Sequence, residues 1–419
     1  MAATVYQVDP KGDILLHFPG SKPGSALAVD AKSHGQQPQP AVAAPAPAPA
    51  PARTEPWSPA ASVSTVTTTT VCNLSAGDDS SDRPEGSRSP EHRHAVDLRV
   101  SSSVLCLVSP VFSAMLNGPM AEGAAFRAPG SPRPFPITLP EDDGDAFAIL
   151  ANVFHHRIEQ LSFLPPTAVL LSLAVLVDKY ACAPALMPYG VLWLQRAANR
   201  PHEDEYAGLL GRCNLLLFAY VLDLPWQFAQ LSWDVLLMHR QLLKDETDYG
   251  LELPIPPEHE LLRHDLHGEI ARRKARLRRD IHNMLMDPVS RVTSQLATHG
   301  HAPGPTCPNA ALAIGNYMAL LDANNLSPWR PQFETDSFTA IINRAIEVAA
   351  DAGDNPMLFF EMCSRYRCAC DTMAYGEGVH LARELGRLLK GAWEWKLWVC
   401  LDCLKNGGES RDACRVKHW

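Results

Sequence analysis

The chain has 419 residues, a formal net charge of −9, a pI near 6.0 and 46% hydrophobic residues. That length holds two or three domains with ordinary buried cores, and the acidic balance argues against a general nucleic-acid binder, which needs a basic excess to neutralise phosphates. The start, MAATVYQVDPKGD, lacks the basic and then apolar run of a secretory signal. The longest apolar run, Ala168 to Val177, is far below the roughly 20 residues of a membrane span, so a soluble, intracellular protein of nucleus or cytoplasm is expected.

Val5 to Phe18 predicts one short strand, Ile14-Leu15-Leu16-His17-Phe18, stopping at Pro19-Gly20. From Gly20 to about Ala95 the composition turns to Ala, Pro, Ser and Thr, including AVAAPAPAPAPAR at Ala41 to Arg53 and the run Thr67 to Thr70. Few large apolar side chains are present to offset ordering entropy, which predicts a disordered insertion. Leu98 and Val100 read as strand and lead through Ser101, Ser102 and Ser103, hydroxyls suited to a helix start. The helix that follows places Val104, Leu107, Val108, Val111, Phe112 and Met115 on a buried stripe.

Phe126 to Pro136 is a proline-broken connector, followed by a strand around Ile137 to Leu139. A helix at Asp145 to His155 carries Phe147, Leu150, Val153 and Phe154. Another, Thr167 to Tyr180, has Val169, Leu170, Leu173, Leu176, Val177 and Tyr180 on one face. A third, Ala185 to Ala197, carries Leu186, Tyr189, Leu192 and Trp193. Strand, helix, strand and a helical tail is an α+β order.

Tyr206 to Leu222 and Trp226 to Leu243 predict a pair of helices. Arg272, Arg273, Lys274, Arg276, Arg278 and Arg279 form a basic run threaded at helical intervals by Leu262, Leu266, Ile270, Leu277 and Ile281. A solvated helix face is the favoured reading; a nuclear-import signal or a phosphate contact is the alternative. Phe338 to Val348 predicts a helix burying Phe338, Ile341, Ile342 and Ala345, capped by Asp336 or Ser337.

Eleven cysteines is an odd count, and six of them lie at Cys363 or later. In a reducing compartment, close spacings point to metal binding or buried thiols before disulfides. Cys400, Cys403, Cys414 and His418 read C-x2-C-x10-C-x3-H. Two thiolates three apart grip one ion from a tight turn, Asn406-Gly407-Gly408 returns the chain, and Cys414 and His418 project from one helical turn. Three sulfurs and an imidazole suit structural zinc; the competing reading is a set of thiols in a small helical end. Cys363, Cys368 and Cys370, with Cys307 or His380, form a less regular candidate for a second site.

Enzyme signatures are weak. His259-Glu260 with His264 has a spacing of five, which turns the second imidazole about 140° away on a helix. Gly376-x-Gly378 lacks the third glycine of a dinucleotide turn, and neither a phosphate-binding loop with its Lys nor a Gly-x-Ser-x-Gly elbow occurs.

Taken in order, Asp13 to Leu16, Val100 to Leu105, Ser109 to Phe112, Leu139 to Asp143 with Phe147, and Leu173 to Tyr180 resemble the BTB/POZ domain in the version common among filamentous fungi. The tail adds Val399 to Cys403 and Cys414 to His418, similar to the ends of many fungal BTB proteins. Two departures are Ser101, where the family carries His, and the long insertion after the first strand. The resemblance implies an α+β fold, a small sheet with packed helices followed by a mostly α-helical C-terminal region. It implies protein association as adaptor or scaffold, without catalysis. The partner would be a second copy or a cullin-type ubiquitin ligase, with nucleic acid and membrane not expected. The expected division is 1–19 first strand, 20–95 insertion, 96–198 remainder of the domain, 199–290 helical extension and 291–419 helical Cys-rich region. The alternative function is a transcription-linked, nucleic-acid-associated factor using the basic run and the Cys-rich tail.

Overall fold

A computed structural model describes residues 4–21, 94–200, 203–238, 259–297, 308–360, 379–392, 397–407 and 413–417. The expected disordered insertion, apart from its two ends, lies outside the described residues, as do Cys307, Cys363, Cys368, Cys370 and His418.

The sheet is built around strand pairing across that insertion. Four strands, β1 (Thr4–Gln7), β2 (Ile14–Ser21), β3 (His94–Val100) and β4 (Phe135–Thr138), lie in the order β1-β3-β2-β4. β2 and β3 are antiparallel, with Ile14 opposite Val100, Leu16 opposite Leu98 and Phe18 opposite Val96; β1 runs parallel to β3, and β4 parallel to β2. Because side chains alternate faces along a strand, all six of these opposed residues point into the core. The intervening pair His17 and Asp97 meets on the other face, Nδ1 to Oδ1 at 2.5 Å. The amino-terminal piece thus holds two strands where one was expected, and β2 runs past Pro19 to Ser21 through a register shift. A bulge is a place where a strand tolerates a proline.

The expected single helix after Ser103 is two helices, α1 (Ser102–Val108) and α2 (Pro110–Asn117). Ser109 is extended, its Oγ accepts from the Phe112 N–H at 3.1 Å, and Pro110 occupies the first turn of α2, a start signal that ends one helix and begins the next. The break resets the stripe. Leu105, Phe112 and Leu116 are buried, Val104, Val108, Val111 and Met115 are half-buried, and Leu107 is 85% exposed.

A short helix, α3 (Ala121–Arg127), precedes β4, and then α4 (Gly144–Phe154), α5 (Thr167–Tyr180) and α6 (Ala183–Ala198) fall close to their expected spans. The Asp143 carboxylate caps α4. Every residue of α4 is buried, and the whole expected face of α5 is buried with it. Phe112 stacks on Tyr180 at 4.5 Å between centroids, and Phe147 meets both edge-on. On α6, Leu186 and Trp193 are buried while Leu192 is exposed.

The helical region continues with α7 (Asp204–Ala207), α8 (Leu209–Val221) and α9 (Pro225–Met238), α8 packing on both α5 and α9. α10 (Leu266–Ala297) carries the basic run but starts after Leu262 and continues through Pro288. α11 (Pro308–Ala323), α12 (Pro331–Thr335), α13 (Phe338–Asp351), the short pair β5 (Phe359–Phe360) and β6 (Val379–His380), and α14 (Leu381–Ala392) complete this part before α15 (Leu401–Lys405). Ser337, not Asp336, caps α13, accepting from Ala340 N–H at 3.3 Å. The described chain is therefore mixed α+β, mostly helical around one small four-stranded sheet. Among the described residues no helix is long and apolar enough to cross a membrane.

Candidate functional site

The tail begins on a buried footing. Leu397, Val399, Leu401 and Val416 are core residues, and the Val399 N–H donates to Ser232 Oγ of α9 at 2.8 Å. That anchor leaves Cys400 buried at the N-cap position of α15, with Cys403 one helical turn on. Gly407 then takes a positive φ of 66°, a conformation open to glycine without strain, and residues 413–417 bring Cys414 back. The three sulfurs lie within 4.8 Å of one another, Cys403 and Cys414 at 3.5 Å.

Three sulfurs this close could hold one metal ion, and thiolate is a preferred donor for soft d10 ions. Burial, with Cys414 and Cys400 adjacent, pushes the Cys403 thiol up to about 12, and Cys414 is raised as well. A metal binding here displaces protons, as thiolate sites generally require. The expected fourth ligand, His418, lies outside the described residues; Cys414 itself sits in irregular chain, so the helical turn expected to carry Cys414 does not form there. No other cluster of three potential ligands occurs among the described residues. Of the second candidate site only His380 is described, and its ring nitrogens meet the Asn355 carbonyl at 3.0 Å and the Arg383 N–H at 3.4 Å.

Sequence reasoning missed the polar frame around the sulfurs. Asp402 and Arg415 lie inside the two tail motifs, so a carboxylate and a guanidinium flanking ligand positions were a readable signal. Their partner Asp223, 192 positions before Arg415, was not. The other buried thiols have a plain role: burial raises Cys182 and Cys213 to about 12, which keeps both protonated and inert in the core. His264, set aside as a ligand, meets the Tyr220 hydroxyl at 2.6 Å.

A second feature is the outer face of α1 and α2. Leu107 is 85% exposed on α1, and Val104 and Val108 of α1 and Val111 and Met115 of α2 are half-buried. Comparison with protein-family models, curated proteins and solved structures finds no match to this chain.

Four of the five arginines in the basic run have acidic partners. Arg272 and Arg273 pair with Glu269, Arg276 with Asp280, and Arg278 with Glu334. Lys274 is only 6% exposed, and burial, with Arg278 beside it, pulls its ammonium down to about 8.

Proposed function

We propose that this chain is a protein-association module of BTB/POZ type, acting as adaptor or scaffold without catalysis. The observation that carries the reading is the convergence of the quoted motifs. Ile14 to Phe18 pairs with the strand that leads into Ser102. The Asp13 carboxylate accepts from Ser102 N–H and Oγ, both at 2.8 Å. Asp142 of the Leu-Pro-Glu-Asp-Asp motif meets Lys179 and Tyr180 of the Asp-Lys-Tyr motif. Segments whose polar residues satisfy one another across such separations behave as parts of one unit.

In this reading the α1–α2 face receives the partner, a second copy of the chain or a cullin-type ligase, and the α8–α9 pair supplies the helical extension. Sedimentation of the full chain, with capture on a purified cullin scaffold, tests it. Leu107→Asp leaves the core intact and weakens self-association or cullin capture; a wild-type chain that stays monomeric and is not captured overturns the reading.

The tail in this proposal holds structural zinc on Cys400, Cys403 and Cys414, with His418 as fourth ligand. Zinc content of the purified protein tests it, and content unchanged by Cys400→Ser with Cys403→Ser removes it. The rival, a nucleic-acid-associated factor, is disfavoured by the ion pairs that already engage the basic run.

A further inference from the structure

Asp402 immediately precedes Cys403 and Arg415 immediately follows Cys414, so whatever fixes those two side chains also fixes the sulfurs beside them. Asp402 accepts from the Arg415 backbone N–H at 2.7 Å, from its Nε at 3.0 Å and from its Nη2 at 2.6 Å. The same guanidinium also reaches out of the tail. Its Nη1 donates to Asp223 Oδ2 at 2.7 Å and its Nη2 to Asp223 Oδ1 at 3.0 Å.

Asp223 stands at the corner between α8 and α9, held in the left-handed region at φ 56°. Lys405, at the end of α15, adds a contact from its Nζ to Asp223 Oδ1 at 2.7 Å. One planar fork is thus shared between a carboxylate inside the sulfur loop and a carboxylate on the helical body. Charge-assisted, bidentate pairs of this kind fix direction as well as distance.

We infer that Asp223 is a positioning residue for the tail metal site: through Arg415 and Asp402 it holds Cys403 and Cys414 at ligating separation and couples metal occupancy to the α8–α9 corner. The inference rests on the zinc reading above. A ligand set ordered by the fold binds more tightly, because less ordering remains to be done when the ion arrives. Groups one step removed from metal ligands typically change affinity by about 10- to 100-fold. The coupling is reciprocal, so the bound ion steadies the corner by the same factor.

Zinc titration of the full chain against a chromophoric chelator, with the cobalt(II) thiolate charge-transfer band as a second readout, separates the possibilities. Asp223→Asn binds zinc about 10- to 100-fold more weakly and shifts the cobalt band. Arg415→Lys shows a smaller loss, because one ammonium does not span both carboxylates. Asp322→Asn, which makes the same charge change at the distant Arg330 ion pair, behaves as wild type. Wild-type affinity and spectrum in Asp223→Asn overturn the inference and leave the zinc reading standing. No zinc binding by the wild-type chain overturns both. If Asp223→Asn does not fold, wild-type affinity in Arg415→Lys overturns the inference instead.

Discussion

Tyr180 donates its phenolic hydrogen to the carboxylate of Asp142, deep in the aromatic core, while Lys179 reaches the other carboxylate oxygen at 2.6 Å. The two donors, one cationic and one neutral, are not equivalent. The Asp142 side chain is 3% exposed but that of Lys179 is 43% exposed, so the lysine rehydrates easily when the pair is broken and the phenol does not. Burial, followed by the carboxylate itself, raises the Tyr180 hydroxyl well above its usual range and keeps it a donor. Tyr180→Phe is therefore expected to cost about 1–3 kcal/mol by leaving a buried acceptor short of a partner. Lys179→Ala costs about 1 kcal/mol or less, as partly exposed ion pairs do. Urea unfolding of the two variants checks the order, and equal losses would contradict this account.

At the start of α1, Asp13 does the capping work expected of the hydroxyls of Ser101, Ser102 and Ser103. Ser101 makes no side-chain cap bond, whereas the Asp13 carboxylate accepts from both Ser102 groups. Asp13→Ala is expected to cost about 0.5–2 kcal/mol, the range for a lost helix cap, with Asp13→Asn milder. Gly12 next to it is a sharper case. A Cβ there would lie 2.5 Å from the Val100 carbonyl oxygen and 2.9 Å from the Val100 nitrogen, both backbone atoms of the paired strand. Gly12→Ala should destabilise more than Asp13→Ala, since backbone cannot move aside without loosening the β2–β3 pairing; thermal melting of both variants ranks them.

These cases also mark what the sequence makes legible. α4, α5 and α13 repeat apolar residues over several turns, so periodicity alone places them and their buried faces. β1 escapes notice because Thr4–Gln7 is short and polar at its ends, with Val5 exposed; its pairing with β3 is set by a distant part of the chain. The Ser109-Pro110 break was written in the sequence as a cap followed by a first-turn proline, yet a continuous apolar stripe concealed it. For the tail, spacing identifies Cys400, Cys403 and Cys414 as neighbours, because their convergence depends on local turns. Asp223 is invisible from spacing, because only tertiary packing brings the α8–α9 corner to Arg415.

The Asp223 carboxyl carries a pH signature. The Arg415 hydrogen bonds, opposed by partial burial and assisted by Lys405, hold it down to about 2, against an ordinary value of 3.8. A folded-state value below the unfolded one means that the interaction stabilises the protein above about pH 4 and that this contribution disappears as pH falls toward about 2. The stability difference between wild type and Asp223→Asn should accordingly shrink across that interval. Denaturant midpoints of both proteins, measured at steps through it, check the sign; a difference that stays constant or grows on acidification would show that Asp223 is not the group responsible.

Nucleic-acid binding gives a final discriminating prediction, because phosphate affinity depends on how many cations are available to replace condensed counterions. On α10 Arg272 and Arg273 share Glu269, Arg276 faces Asp280 at 3.8 Å, Arg278 is drawn to Glu334, and Lys274 is buried. Binding a duplex would require these side chains to exchange internal carboxylates for phosphates, with little net gain and with the chain's charge of −9 opposing approach. A gel-shift series on mixed-sequence duplex DNA between about 50 and 200 mM salt should show no shift that weakens systematically with salt, the signature of phosphate contacts. Glu269→Gln removes the carboxylate that Arg272 and Arg273 share, leaving Arg272 only the longer contact to Asp265 at 3.7 Å. If the acidic partner is what suppresses phosphate binding, this variant gains a salt-sensitive shift that the wild-type protein lacks. Strong salt-sensitive binding by the wild type would instead favour the nucleic-acid reading over protein association.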